Sequence, residues 1–140
     1  MKNYVVDTSV ILQWFHKKGE LHTEEAQRLL DDFIANKIKI IIPDVLALEL
    51  LNATVKGKGL PTEKAITALN SLFEMPIEIT EISLPVLEIS SKLMELYNLA
   101  SYDAYFLALA QYEGYKLISD DQKAHGQIKD GSVVMLEDYT

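Results

Sequence analysis

Hydrophobic and polar positions along the chain fall into two alternating periods. Tyr4-Val5-Val6 is a short apolar run that predicts a buried strand, and Thr8 to Phe15 after it reads as helical. From Thr23 to about Asn36, the residues Ala26, Leu29, Leu30, Phe33 and Ile34 recur at helical spacing, with Thr23 placed to cap the amino end. Ile38 to Ile42 predicts a second strand. Pro43 suits the first turn of a helix that reaches about Lys56, before the Gly57-Lys58-Gly59 break. Another helix opens at Thr62 and ends before Pro76, and Ile77 to Ile82 alternates imperfectly as a third strand. Helices over about Leu84–Tyr97 and Tyr102–Glu113 follow, the second stopped by Gly114. Lys116–Ser119 and Val133–Leu136 read as the last two strands.

Short apolar strands separated by helices predict a parallel sheet covered on both faces. No internal repeat, low-complexity tract or linker interrupts the pattern, and 140 residues fit one domain over 1–140. In open sheets of this kind, chemistry gathers beyond the carboxyl ends of the strands. That is where candidate residues are sought.

Composition narrows the classes. Hydrophobic residues make up 49% of the chain and charged ones 24%, enough to bury a core and inconsistent with disorder. No apolar stretch is long enough for a bilayer, and the opening residues lack the layout of a signal peptide, so no membrane association is expected. The absence of cysteine excludes disulfides and thiolate sites and fits a cytoplasmic location. His16, His22 and His125 show no paired metal-ligand spacing and receive no role. The net charge of −8, from 13 basic and 21 acidic residues, predicts weak binding to polynucleotide unless metal ions supply positive charge. It also suits a basic protein partner.

Four acids stand where the predicted fold would place a site. Asp7 closes the first strand and is followed by the hydroxyls of Thr8 and Ser9; a helix cap is the competing role. Asp103 sits at the start of a helix that is apolar nearly all round, above Phe106, Leu107 and Ala110. A buried charge there demands a cation or donors, because an unpaired one costs several kcal/mol. Glu49 shares a polar stripe with Asn52 and Lys56, which on its own reads as the solvated face of an amphipathic helix. Asp121 follows the strand Lys116–Ser119 beside Asp120, and alternation along an extended segment lets only one of the pair reach a common site. Turn chemistry is the alternative for both, and Asp44 beside Pro43 reads as a first-turn acid. Converging carboxylates repel by about 4 kcal/mol per pair at about 4 Å and an effective dielectric of about 20. A divalent cation reverses that balance, and an oxygen-only ligand set selects Mg²⁺ or Mn²⁺ over zinc.

At these residues the sequence resembles the PIN domain, and within it the VapC-type toxins of toxin–antitoxin systems. The resemblance spans essentially the whole chain. It runs through Val5-Val6-Asp7-Thr8-Ser9-Val10, Pro43-Asp44-Val45 to Glu49-Leu50, Leu99-Ala100-Ser101-Tyr102-Asp103-Ala104, and Leu117-Ile118-Ser119-Asp120-Asp121. The last motif more often carries threonine where this chain has Ser119. The match selects Asp121 over Asp120 and brings Glu49 into the set. It implies a three-layer α/β/α PIN-like fold with a central, mostly parallel sheet. It further implies an endoribonuclease dependent on Mg²⁺ or Mn²⁺ that cuts RNA phosphodiesters with activated water. Asp7, Glu49, Asp103 and Asp121 would hold one or two metal ions, with Ser9 and Ser119 orienting them from behind. A homodimer and a small antitoxin with a basic tail are implied as well. Two alternatives stand beside this reading: a PIN nuclease of RNA processing without an antitoxin, and a phosphoacceptor signalling module. The second is disfavoured by the lone Asp7 after the first strand and the lack of a lysine after the last one.

Overall fold

The computed structural model describes residues 1–140. Five strands and seven helices alternate along the chain, with two short non-α turns. The strands are β1 (Lys2–Val6), β2 (Ile38–Pro43), β3 (Glu78–Thr80), β4 (Lys116–Ser119) and β5 (Val133–Met135). The helices are α1 (Thr8–Phe15), α2 (Thr23–Ile34), α3 (Val45–Asn52), α4 (Thr62–Glu74), α5 (Leu84–Tyr97), α6 (Ser101–Glu113) and α7 (Gln122–His125). All strand pairs are parallel, in the order β3-β2-β1-β4-β5. Tyr4 stands opposite Ile40 on one side and Lys116 on the other, which makes β1 the central strand.

A parallel sheet must be covered on both faces, and its strands read as nearly continuous apolar runs for that reason. Val5, Val6, Ile40, Ile41, Ile42, Leu117 and Ile118 are all buried. Helix α6 lies against β1, β2 and β4 with α5 packed on it, while α1 and α2 pack against each other and against β4 and β2. Every residue of α6 from Ala104 to Ala110 is buried, because this helix sits between sheet and helix. The result is a three-layer α/β/α sandwich around one apolar cluster. The strand order turns back between β1 and β4, which places the topological switch point beside Asp7 and the end of β4.

Four local expectations are corrected by the coordinates. Pro43 ends β2 opposite Thr80 instead of opening a helix, since the neighbouring Asp44 N–H is bound by the Thr80 carbonyl at 2.8 Å. Thr23 is the first helical residue of α2; His22 holds the cap position, and no side chain caps there. The third strand shrinks to Glu78–Thr80, an edge strand with β2 as its one partner. Finally, the helix from β2 does not run uniformly to Lys56: α3 ends at Asn52 and Ala53–Gly57 winds as a π turn. The Lys58 N–H closes that turn on the Ala53 carbonyl at 2.9 Å, and Thr54 Oγ1 donates back to the Leu50 carbonyl at 2.8 Å. Gly114 does terminate α6, in the left-handed conformation (φ 73°) that glycine adopts without strain.

Candidate active site

Asp7, Glu49, Asp103 and Asp121 come from four different elements and line one cleft of about 500 Å³, together with Thr8, Ser9, Asn52 and Tyr102. Asp7 closes β1 and caps α1, accepting from the Ser9 backbone N–H at 3.1 Å and from Ser9 Oγ at 2.6 Å. Glu49 projects from α3 and accepts from Thr8 Oγ1 at 3.0 Å. Asp103 lies in the first turn of α6, and Asp121 caps α7 by accepting from the Ala124 N–H at 3.0 Å. The capping role and a place in the cleft are therefore compatible for Asp7 and Asp121. The stripe of Glu49 and Asn52 faces this cleft, while Lys56 is exposed beyond it.

Of the neighbouring acids Asp120 and Asp121, only Asp121 lines the cleft. Asp120 turns the other way, where its carboxylate meets Gln13 Nε2 at 2.7 Å and His22 Nδ1 at 2.7 Å. Its backbone N–H donates to Ser9 Oγ at 2.9 Å, so Ser9 ties the end of β4 to Asp7 with a single hydroxyl. Ser119 bonds no carboxylate. Its Oγ accepts from the Asp121 N–H at 3.1 Å and meets His125 Nδ1 at 2.7 Å.

His125 is the site residue that sequence reading passed over. It is fully buried, and its Nε2 lies 2.9 Å from the Asp103 carbonyl oxygen, which only accepts. Nε2 therefore donates, and Nδ1 accepts a hydrogen bond from the Ser119 hydroxyl. A ring nitrogen of His125 and carboxylate oxygens of Asp7 and Asp103 lie within 4.8 Å of one another. With both nitrogens already engaged, the imidazole acts as a brace between the start of α6 and the β4–α7 turn rather than as a free ligand. The signal in the sequence was its position four residues after Asp121, one helical turn on, but no pairwise spacing rule reads that.

The electrostatics of the cleft are those of charges held together without neutralisation. Burial raises the Asp7 carboxyl above its ordinary value, with the nearby Asp121 charge adding to the effect. Burial pushes Glu49 up to about 7, assisted by the charges of Asp7 and Asp103 and opposed by the Thr8 hydrogen bond. Asp103 is pushed up to about 6, first by burial and then by Asp7. The ion pairs of the molecule are His22 with Asp120 and Glu137, and Lys58 with Glu20, so none of the four cleft acids forms an ion pair, and His125 is the one basic group beside Asp7 and Asp103. Asp103's carboxylate accepts no hydrogen bond at all from the protein. Buried carboxylates without a cation are costly. A hard divalent ion surrounded by oxygen ligands relieves that cost, and the donor set here fits one.

Comparison with known proteins follows the same direction. The family description "PIN domain" matches residues 4–128. Among solved structures, a toxin–antitoxin complex from Klebsiella pneumoniae is 25% identical with a TM-score of 0.66, covering 95% of this chain and 97% of that one. VapBC2 from Rickettsia felis, solved with a DNA fragment from its promoter, is 18% identical with a TM-score of 0.72, covering 95% and 98%. VapC20 of Mycobacterium tuberculosis, described as a toxin cleaving the sarcin–ricin loop, is 13% identical with a TM-score of 0.66, covering 83% and 86%. At such identities the last two carry the likeness of fold alone. A comparison with curated protein sequences finds no match.

Proposed function

The chain belongs to the PIN-domain family, and on that premise we propose that it is a divalent-metal-dependent endoribonuclease serving as the toxin of a type II toxin–antitoxin pair. The observation that carries this reading is the convergence of Asp7, Glu49, Asp103 and Asp121, none of them in an ion pair, on one cleft at the topological switch point. The whole chain, 1–140, is read as one nuclease unit acting in the cytoplasm; no helix is long and apolar enough to cross a membrane.

The four carboxylates would hold Mg²⁺ or Mn²⁺. When bound, such an ion supplies positive charge against the phosphate and acidifies water for in-line attack. The protein's own side chains do the rest. Ser9 and Thr8 fix the rotamers of Asp7 and Glu49 through their hydroxyls. Ser119 holds the Asp121 N–H, and His125 ties Ser119 to the carbonyl of Asp103. Burial and the neighbouring acidic charges raise the Glu49 and Asp103 carboxyls, and a bound divalent ion would favour their ionised, ligating form.

An unpaired acidic cleft also suits a basic tail. The Klebsiella neighbour is a toxin–antitoxin complex by its description, which supports a small antitoxin for this chain too. Exposed apolar side chains on α4 (Ile66, Phe73) and α5 (Leu84, Leu87, Leu96) support a homodimer. A phosphoacceptor receiver is disfavoured by topology, because that fold orders its strands 2-1-3-4-5, not 3-2-1-4-5.

The test is cleavage of a panel of structured and single-stranded RNAs with Mg²⁺, with Mn²⁺ and with EDTA. Cleavage by the parent protein that needs the metal, and is lost in Asp7→Asn and Asp103→Asn with unchanged circular dichroism, is the expected result. Equal activity of those variants would refute the assignment.

A further inference from the structure

A second cleft, of about 560 Å³, lies away from the four acids and has the opposite character. It is lined by His16, Lys17, Lys18, Lys58, Lys64 and Thr67 over an apolar floor that includes Phe15 and Leu60. Four of the chain's 13 basic residues meet here, although the net charge is −8. Lys58 is held in place by Glu20 at 2.9 Å and by the Lys18 carbonyl at 2.7 Å. Lys17, Lys18 and Lys64 form no ion pair, so their charge is not cancelled by the protein. His16 Nε2 is buried without a hydrogen-bond partner. Burial and the charges of Lys58 and Lys64 lower its pKa, which favours a neutral ring.

Two independent elements connect this cleft to the acidic one. Helix α1 has Asp7 at its amino cap, Leu12 in the acidic cleft, and Phe15 and His16, three and four residues on, in the basic cleft. Its eight residues span about 12 Å. On the other side, α3 carries Glu49 and Asn52, and the π turn follows. That turn stacks Lys58 over Ala53, the residue whose carbonyl it binds; Ala53 lines the acidic cleft and Lys58 the basic one. About 12 Å is the length of three or four stacked nucleotides at about 3.4 Å each.

We infer that the lysine cleft is a second phosphate-binding subsite, which holds the RNA backbone a few nucleotides from the bond at the acidic cleft. The inference rests on the reading of the protein as a ribonuclease and names how its substrate is held. An acidic protein needs such a patch, because backbone affinity comes from lysines and arginines that displace counterions. The patch would repel the basic tail proposed for the antitoxin, so an anionic strand is the occupant its charge selects.

The experiment measures fluorescence anisotropy of a labelled single-stranded oligoribonucleotide in EDTA, over a range of KCl, so that binding is read without cleavage. Neutralising two contacts in Lys18→Gln/Lys64→Gln is expected to flatten the slope of log K against log salt by about 1.4, at about 0.7 per contact. Lys37→Gln/Lys39→Gln, at the start of β2, is expected to leave the slope unchanged. Equal slopes for the parent and Lys18→Gln/Lys64→Gln overturn the proposal, as does equal flattening by the control. Loss of poly-glutamate binding with RNA binding intact overturns it in favour of an acidic polypeptide. A lysine-dependent slope in a protein that cleaves no RNA sinks the nuclease reading while leaving this subsite standing.

Discussion

Replacing Glu49 with glutamine should stabilise the metal-free protein, in a way that depends on pH. The substitution removes one negative charge from the cleft and keeps an acceptor for the Thr8 hydroxyl. In the unfolded chain the carboxyl titrates at its ordinary 4.5, and in the folded chain at about 7. Between those values the folded state binds more protons, so the group's stabilising contribution is whole below about 4.5 and lost by the time pH passes about 7. From about pH 5.5 to 7 the change is ~2 kcal/mol, at about 1.36 kcal/mol per pH unit. Because Glu49 is only partly buried, solvent screening reduces this to ~1 kcal/mol. Urea unfolding in EDTA at about pH 5.5 and about pH 8.5 reads it: relative to the parent, the variant's midpoint should rise by ~0.5 M at the higher pH, for a slope of ~2 kcal/mol/M. Saturating Mg²⁺ should erase the advantage, because ligand binding then stabilises the parent more. A variant equally or less favoured at high pH in EDTA would show that burial and the neighbouring acids do not penalise the Glu49 charge, and the metal argument would lose its basis.

Two further outcomes follow from the packing around the cleft. His125→Phe removes both hydrogen bonds of a buried brace and should cost ~2 kcal/mol, seen as a melting temperature about 6 °C lower; an unchanged melt would refute the brace. Tyr139→Phe breaks the 2.5 Å hydrogen bond to Asp32 that ties the carboxyl end to α2, at a cost of ~1–1.5 kcal/mol by chemical unfolding. Combined with Asp32→Asn, the loss should grow little, and additive losses would show that the two groups are not coupled.

The layered fold was legible because both faces of a parallel sheet must be dry. That requirement writes β1, β2 and β4 as apolar runs, and it buries α6 on every side from Ala104 to Ala110. Where an element has a single partner the signal weakens. β3, at the sheet edge, is shorter than its apolar stretch suggested, and the Pro43 boundary moved because a carbonyl from β3 captured the next N–H. The π turn after Asn52 left no mark in the hydrophobic pattern, since it depends on one serial shift of hydrogen bonds.

Asp7, Asp103 and Asp121 were visible as strand-end or helix-start acids, for the physical reason that parallel strands all deliver their carboxyl ends to one edge. Glu49 was singled out only by the motif resemblance, because a polar stripe on a helix looks the same facing solvent or a cleft. Side-chain direction at Asp120 and Asp121, the double hydrogen bonding of His125, and the meeting of Lys18 with Lys58 and Lys64 belong to tertiary structure alone. Sequence by itself determined which segments are strands and helices, and that acids stand at their ends, because burial and periodicity are local properties of the chain. Only the folded molecule decided which charges face each other, because that depends on distances between residues some forty to a hundred positions apart.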